Sequence, residues 1–298
     1  PGFFGSAEPV GTGITYVLDG VAVVTCGKLV NFQEGLIDMS GPGAEFSLFS
    51  KKLNVVLVME PKENMGKHEH EEAVRVAGIK AASYLCLTGT VAPCDEEIRF
   101  PVETFIELEN SHQGLPKVIY VDMVIAQGLL HDNYIYGMNA QGSLPVILSP
   151  TELMDGAVVS GNCAAPCHKN TTYHQQNNSI AEDLLAEHGK TLCFLGVIAM
   201  PVRTALLDKE RTCKQVLKLA KFLGALGAIV SEDGGGNPEA DLMMLARLFE
   251  KEGIKTVLVT DEYAGRDGAS QGLADVTPEA DAIVTNGNGN QYVILPPM

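Results

Sequence analysis

From Leu192 onward, short apolar runs rich in Val, Ile and Leu alternate with amphipathic stretches of helical length. That rhythm restricts the chain to βαβ units and a parallel sheet, because parallel strands need a long crossover between them and strands buried on both faces read as continuous apolar runs. Leu192 to Ala199 is the first such strand, and Asp208 to Leu223 is a helix whose apolar face carries Val216, Leu219, Ala220 and Leu223. Gly227 to Ser231 is the next strand. The unit then repeats: Pro238 stands where a first-turn proline is tolerated, Ala240 to Lys251 carries Leu242, Met243, Ala246 and Phe249 at helical spacing, and Gly253 ends the helix. Thr256 to Thr260, Ala282 to Thr285 and Tyr292 to Leu295 complete the strand set. The expected fold is α/β, its C-terminal part a mostly parallel, doubly wound sheet with helices on both faces.

The N-terminal half is less regular. Val21 to Thr25, Val55 to Met59, Val118 to Val121 and Val146 to Leu148 are strand candidates. His68 to Leu85 is a helix with Glu69, Glu71 and Glu72 in its opening turns, where the helix dipole favours negative charge. Length agrees with two units, since 298 residues at roughly 150 per domain suggest about two domains. We expect an N-terminal α/β unit over 1–162 and a C-terminal α/β domain over 163–298. Between them, Ser160 to Asn178 lacks periodicity and reads as a loop.

Charge narrows the function classes. Lys and Arg total 21 against 37 for Asp and Glu, a formal net charge of −16 that repels polyanions over most of the surface. Nucleic acid and anionic membranes are therefore not expected as partners. No apolar run approaches the roughly 18 residues of a membrane span, and no signal peptide opens the chain, so a cytoplasmic protein is expected. The 7 cysteines are odd in number and scattered, unlike a secreted disulfide framework.

Ligands of open α/β sheets bind outside the carboxyl ends of the strands. Here three such ends lead into loops of one character: Glu232 to Pro238, Asp261 to Gly268, and Asn286 to Asn290. Turn-forming composition explains any one of them alone. Taken together, and with Arg266 available to pair a carboxylate or phosphate, they make Asp233, Asn237, Asp261, Arg266 and Asn288 the candidate substrate-binding residues. None of the loops matches a dinucleotide or P-loop fingerprint, so a nucleotide is not indicated. His68 and His70 diverge on a helix, and Cys163, Cys167 and His168 have no second Cys pair at zinc-finger spacing, so no metal is expected.

The run Ser160-Gly161-Asn162-Cys163-Ala164-Ala165-Pro166-Cys167-His168-Lys169-Asn170-Thr171-Thr172-Tyr173 resembles the processing region of the substrate-specific component B of glycine, sarcosine and betaine reductases, in the proprotein that yields its alpha and beta subunits. Gly35 to Glu45, Lys67 to Ala73, Gln127 to Asp132, Asp261 to Ser270 and the terminal Leu295 to Met298 agree with it, so the resemblance spans the chain. The family members carry a further N-terminal portion. The resemblance implies cleavage before Cys163, which then becomes an N-terminal pyruvoyl group. Cys163 would attack the carbonyl of Asn162 to give a thioester, and elimination and hydrolysis would leave a ketone. Asn162 and Cys163 are thus the processing residues and Cys163 the catalytic one, with Cys167, His168 and His131 as candidate supporting residues.

A pyruvoyl carbonyl accepts a primary amine and withdraws electrons from the Cα–N bond, which a selenolate then cleaves reductively. The chain has no selenocysteine position, so the resemblance implies a hetero-oligomer with a selenocysteine-containing component B subunit and a small selenoprotein electron carrier. The substrate is a small amine or amino acid. His168 stands where the family has an Asp, and Thr171 where it has a Pro, departures that bear on substrate and processing rather than on the Asn162–Cys163 pair. Two other readings remain at this point. One is the related D-proline reductase proprotein; the other is a non-catalytic small-molecule binding module in which Cys163 is inert.

Overall fold

The computed structural model describes residues 10–28, 37–101, 103–127, 132–161, 170–262 and 273–288. In chain order the strands and α-helices of these residues are β1 (Val21–Gly27), β2 (Leu53–Met59), α1 (Lys67–Cys86), α2 (Phe105–Ser111), β3 (Lys117–Val124), β4 (Asn133–Ile135), β5 (Met138–Asn139), β6 (Val146–Leu148), α3 (Pro150–Met154), β7 (Val158–Ser160), α4 (Thr172–Gln176), α5 (Ser179–Glu187), β8 (Cys193–Pro201), α6 (Leu206–Phe222), β9 (Gly227–Ser231), α7 (Glu239–Lys251), β10 (Lys255–Glu262) and β11 (Ile283–Asn288).

The main sheet has six strands in the order β11-β10-β9-β3-β8-β6. All neighbours are parallel except β6, which runs antiparallel to β8. The chain lays down β3, adds β8 on one side, then crosses back to add β9 on the other side of β3, followed by β10 and β11. The winding therefore reverses at β3, and the crevice between the carboxyl ends of β3 and β9 is the switch point where ligands of such sheets bind.

Alternation along the central strands feeds two cores. Ile119, Val121 and Met123 of β3 and Ile198 and Met200 of β8 join Val216 and Ala220 of α6 and Leu242, Met243 and Phe249 of α7. Tyr120, Val124, Val197 and Ala199 face the other way, toward Leu153 of α3, Val158 of β7 and Ala181 and Leu184 of α5. Burying each large apolar side chain contributes about 1.5–3 kcal/mol, so these layers hold the sheet flat against its helices. On that second face the register places one carboxylate, Asp122, between Tyr120 and Val124.

The sheet is doubly wound and mostly parallel, as the sequence predicts, and Gly253, at φ +83°, follows α7 in the left-handed conformation that favours glycine. Its membership differs from expectation. β3 and β6 come from before the expected boundary at 162/163, so segments 1–162 and 163–298 share one sheet rather than forming two. β3 is mostly apolar and from Ile119 onward is buried on both faces, which suits a central strand better than a half-exposed one. Other strands of the expected N-terminal unit pair outside the main sheet, β1 with β2 as a parallel ribbon and β5-β4-β7 as a small antiparallel sheet.

Helix α1 forms where the sequence places it, but its opening carboxylates take different parts. Glu69 does cap the helix, accepting the Gly66 N–H at 3.0 Å. Glu71 is instead buried: it accepts from Arg75 Nε at 2.9 Å and from the Tyr134 hydroxyl at 2.8 Å. Arg75 lies over the Tyr134 ring, 3.7 Å from its centroid. A charge pair sealed against an aromatic ring in this way docks α1 on β4. The expected Ser160 to Asn178 loop contains α4, a helix too short to show periodicity, started by the Thr171 side chain accepting from the His174 N–H.

Candidate functional site

At the switch point the sequence leaves two buried carboxylates. Asp122 on β3 and Asp233 in the loop after β9 are both 0% exposed. Asp233 gathers the surrounding backbone: Oδ2 accepts from Ile125 N–H at 3.1 Å and from Asn133 Nδ2 at 3.4 Å, and Oδ1 accepts from Asn170 N–H at 2.7 Å. Gly234 follows with φ +91°, and a Cβ there would stand 2.7 Å from Ile125 Cδ1, so the turn that aims Asp233 inward requires glycine.

Asp122 is provided for differently. Its Oδ1 receives the Tyr120 hydroxyl at 3.4 Å, a weak contact, because that hydroxyl also meets Ser231 Oγ at 2.6 Å and accepts from Asn178 Nδ2 at 3.1 Å. Among the described residues Asp122 Oδ2 has no hydrogen-bond partner, and neither do Asn133 Oδ1 or either amide atom of Gln175. Burial, and next the negative charge of Asp233, push the Asp122 carboxyl up to about 8. The Tyr120 hydroxyl is driven well above its ordinary value, chiefly by burial, so it stays a neutral donor.

Cys163, Asn162, Cys167 and His168 lie outside the described residues, but the residues that flank them are placed at this crevice. Gly161 donates its N–H to the Asp132 carbonyl at 2.6 Å, and Asn170 donates to Asp233. Just beyond, Ser160 N–H donates to Thr172 Oγ1 at 3.1 Å, closing the base of the segment. Both of its ends are therefore tied to the carboxyl edge of the sheet beside β3 and β9.

Of the other expected site residues, Asn237 lies in the same loop as Asp233, its side chain accepting from Gln127 Nε2 at 2.7 Å and its carbonyl from Lys209 Nζ at 2.9 Å. Asp261 and Asn288 are placed by backbone at the carboxyl ends of β10, which pairs with β9, and of β11, which pairs with β10, all parallel, so they share the carboxyl edge of the sheet. Arg266 and His131 lie outside the described residues. The sequence reading passed over Asp122, Asn133 and Gln175. A signal was present for Asp122, a lone acidic residue in an apolar strand.

The same edge carries a second polar layer. Lys209 of α6 pairs with Asp241 of α7, both buried. Burial raises Asp241 to about 6 against the pull of Lys209. Glu232 is raised to about 8 by burial first, then by the charges of Glu239, Asp233 and Asp241, with Thr260 donating to it. These groups hold the loop after β9 against the helices, while Asp122 lies beside Gln175 of α4.

Among the described residues one group has metal-ligand composition, Glu103, His112 and His188, whose ligand atoms lie within 4.8 Å of one another. It sits by the amino ends of β3 and β8, at the far edge of the sheet. His188 Nδ1 accepts the Phe194 N–H at 2.9 Å, so the proton of the neutral ring is on Nε2, which donates to Glu103 at 2.7 Å. That protonated nitrogen has no lone pair for a metal, and the cluster reads as a hydrogen-bonded tie.

Against known proteins, the whole chain, residues 1–298, matches the family model of glycine/sarcosine/betaine reductase component B subunits. It is 51% identical over 298 residues to the glycine reductase complex component B subunits alpha and beta of Peptoclostridium acidaminophilum, covering 100% of this chain and 70% of that protein. It is 47% identical over 298 residues to that organism's sarcosine reductase complex component B subunit alpha, again covering 100% of this chain and 70% of the relative. Similarity to the D-proline reductase proprotein PrdA of Acetoanaerobium sticklandii is 24% over 169 residues, 53% of this chain and 26% of that protein. No solved structure matches the chain. The chain belongs to the family of glycine, sarcosine and betaine reductase component B subunits. No helix among the described residues is long and apolar enough to cross a membrane.

Proposed function

We propose that this chain is the substrate-specific part of a selenium-dependent reductase complex, one that reductively cleaves the C–N bond of glycine, sarcosine or betaine. Cys163 is its processing residue and the source of a pyruvoyl group. The observation that carries the reading is the pair of ties at Gly161 and Asn170, which bring both ends of the segment holding Asn162 and Cys163 to the switch point. The greater similarity to the glycine and sarcosine relatives supports it over the D-proline reading.

The residues present fit such a group, since buried polar atoms without partners, the Gln175 amide on the helix that follows the segment and Asp122 Oδ2 beside it, are open at the switch point. When formed, the pyruvoyl group supplies an electrophilic carbonyl and a sink for electrons next to the C–N bond. Asp233 acts before that stage, by holding Asn170, and Asp132 by holding Gly161, so that cleavage between Asn162 and Cys163 leaves both new ends anchored. Tyr120, Ser231 and Asn178 form a neutral hydrogen-bonded floor. The candidate substrate-binding residues Asp233, Asn237, Asp261, Arg266 and Asn288 edge the same crevice in this reading. Electrons come from a selenocysteine-containing subunit and a small selenoprotein carrier, and the complex works in the cytoplasm.

The test is a denaturing gel and carbonyl labelling of the protein from native cells. Two fragments, the smaller one beginning at 163 and reactive toward a hydrazine, support the reading. An unbroken chain that binds amino acids without reacting would favour the binding module.

A further inference from the structure

We propose that Asp122, Asn133 and Gln175 form the seat for the protonated amino group of the substrate, and that this seat ranks amines by the number of N–H donors they carry. The inference rests on the proposed reading for the identity of the reaction, but not for the seat itself. Three kinds of acceptor at the switch point, Asp122 Oδ2, Asn133 Oδ1 and Gln175 Oε1, are fully buried and without partners among the described residues. Buried polar atoms are almost always hydrogen-bonded, and a group of them left open together marks a place for a ligand. Of the neighbouring donors, Asn133 Nδ2 is committed to Ile125 O at 2.9 Å and the Tyr120 hydroxyl is shared between Ser231 Oγ at 2.6 Å and Asp122 Oδ1, which leaves Gln175 Nε2 as the open donor among these side chains. The open acceptors therefore outnumber the open donor, and a primary ammonium brings three N–H groups and a positive charge for the carboxylate.

The groups facing Asp122 are few. Asp233 comes from the loop after β9 and Tyr120 from its own strand; β8 presents Ala199, β9 Ser231 and α4 Gln175. Of these only Asp233 and Tyr120 titrate, and Tyr120 stays neutral. An ammonium thus meets a carboxyl held protonated by burial, and its binding expels that proton. Glycine has three N–H donors, sarcosine two and betaine none, so the seat favours them in that order.

Calorimetry of glycine binding to the purified full-length protein, in two buffers of different ionisation enthalpy, tests this without turnover. The expected result is close to one proton released per glycine at pH 7, with affinity rising about 50-fold from pH 6 to pH 8 as Asp122 ionises. Asp122→Asn should abolish the release and the slope, with hydrazine-reactive carbonyl at 163 unchanged. Gln175→Leu should weaken glycine binding and keep the slope, which covers the case in which Asp122→Asn does not fold. Glycine binding with no proton release, or betaine binding as tightly as glycine, would overturn the seat. Absence of the carbonyl in the native protein would overturn the pyruvoyl reading alone, because binding and proton release are read independently of it.

Discussion

The Asp233 carboxylate accepts the backbone N–H of Asn170 at 2.7 Å and that of Ile125 at 3.1 Å, tying the chain just after the Cys163 segment to the residue that follows β3. One buried side chain thereby joins the loop after β9, the end of β3 and the start of α4. Asp233→Ala should destabilise the protein by about 1–3 kcal/mol for each donor left without an acceptor, read from denaturant unfolding. It should also raise the uncleaved fraction on a denaturing gel. Wild-type stability together with complete cleavage would remove Asp233 from this role.

Stability should fall as pH rises across the neutral range. Asp122 and Glu232 are held near 8 when folded and return to ordinary carboxyl values near 4 when unfolded. Between those limits the folded state keeps protons that the unfolded state has lost. The stabilisation present below about pH 4 is therefore withdrawn as pH climbs to 8, at up to about 1.4 kcal/mol per unit for each group. Melting temperatures at pH 5 and pH 8 measure this, and Asp122→Asn should flatten the difference. A difference unchanged in Asp122→Asn and Glu232→Gln would contradict the assignment.

Much of this fold was legible. Gly227–Ser231 and Val146–Leu148 lie where their apolar runs place them, and α7 begins one residue before the periodic stretch that predicts it. What the sequence hid was association across distance. Nothing local to Lys117–Val124 says that it enters between β8 and β9, because a βαβ pattern gives strand content and not strand order. Short elements such as β4, β7 and α4 carry too few residues to show a period. The loop after β9 was readable from its Gly, Asn and Asp content, and Asp122 left a signal as the acidic residue of an apolar strand, yet Gln175 was not readable, since its importance lies in burial without partners. Glu71 reads from the sequence as a residue that suits the helix dipole, and its burial against Arg75 and Tyr134 depends on a strand far along the chain.

The buried Lys209–Asp241 pair joins α6 to α7. Removing one partner strands a charge, so Lys209→Ala should cost about 3–5 kcal/mol in chemical denaturation. A loss below about 1 kcal/mol would mean that Asp241 takes up a proton without penalty.

At the far edge of the sheet, Glu103 is shared by His112 at 3.0 Å and His188 at 2.7 Å. The carboxyl is partly buried, and its hydrogen bonds from the two imidazoles outweigh that burial and hold it below its ordinary value. Its stabilisation is present above the unfolded pKa and lost as pH falls through the folded one. Glu103→Ala should lower stability at pH 7 by about 1–3 kcal/mol and leave the protein less sensitive to acid. Added zinc should not raise the melting temperature of the wild type, and a clear rise would reopen the cluster as a metal site.

Cys163→Ala should remain a single chain without hydrazine-reactive carbonyl, while Cys167→Ala should still be cleaved. The most direct measurement is mass spectrometry of the fragment beginning at position 163, purified from native cells. A pyruvoyl terminus is the predicted result; a cysteine intact at that terminus, or an uncleaved chain from an active complex, would contradict the account.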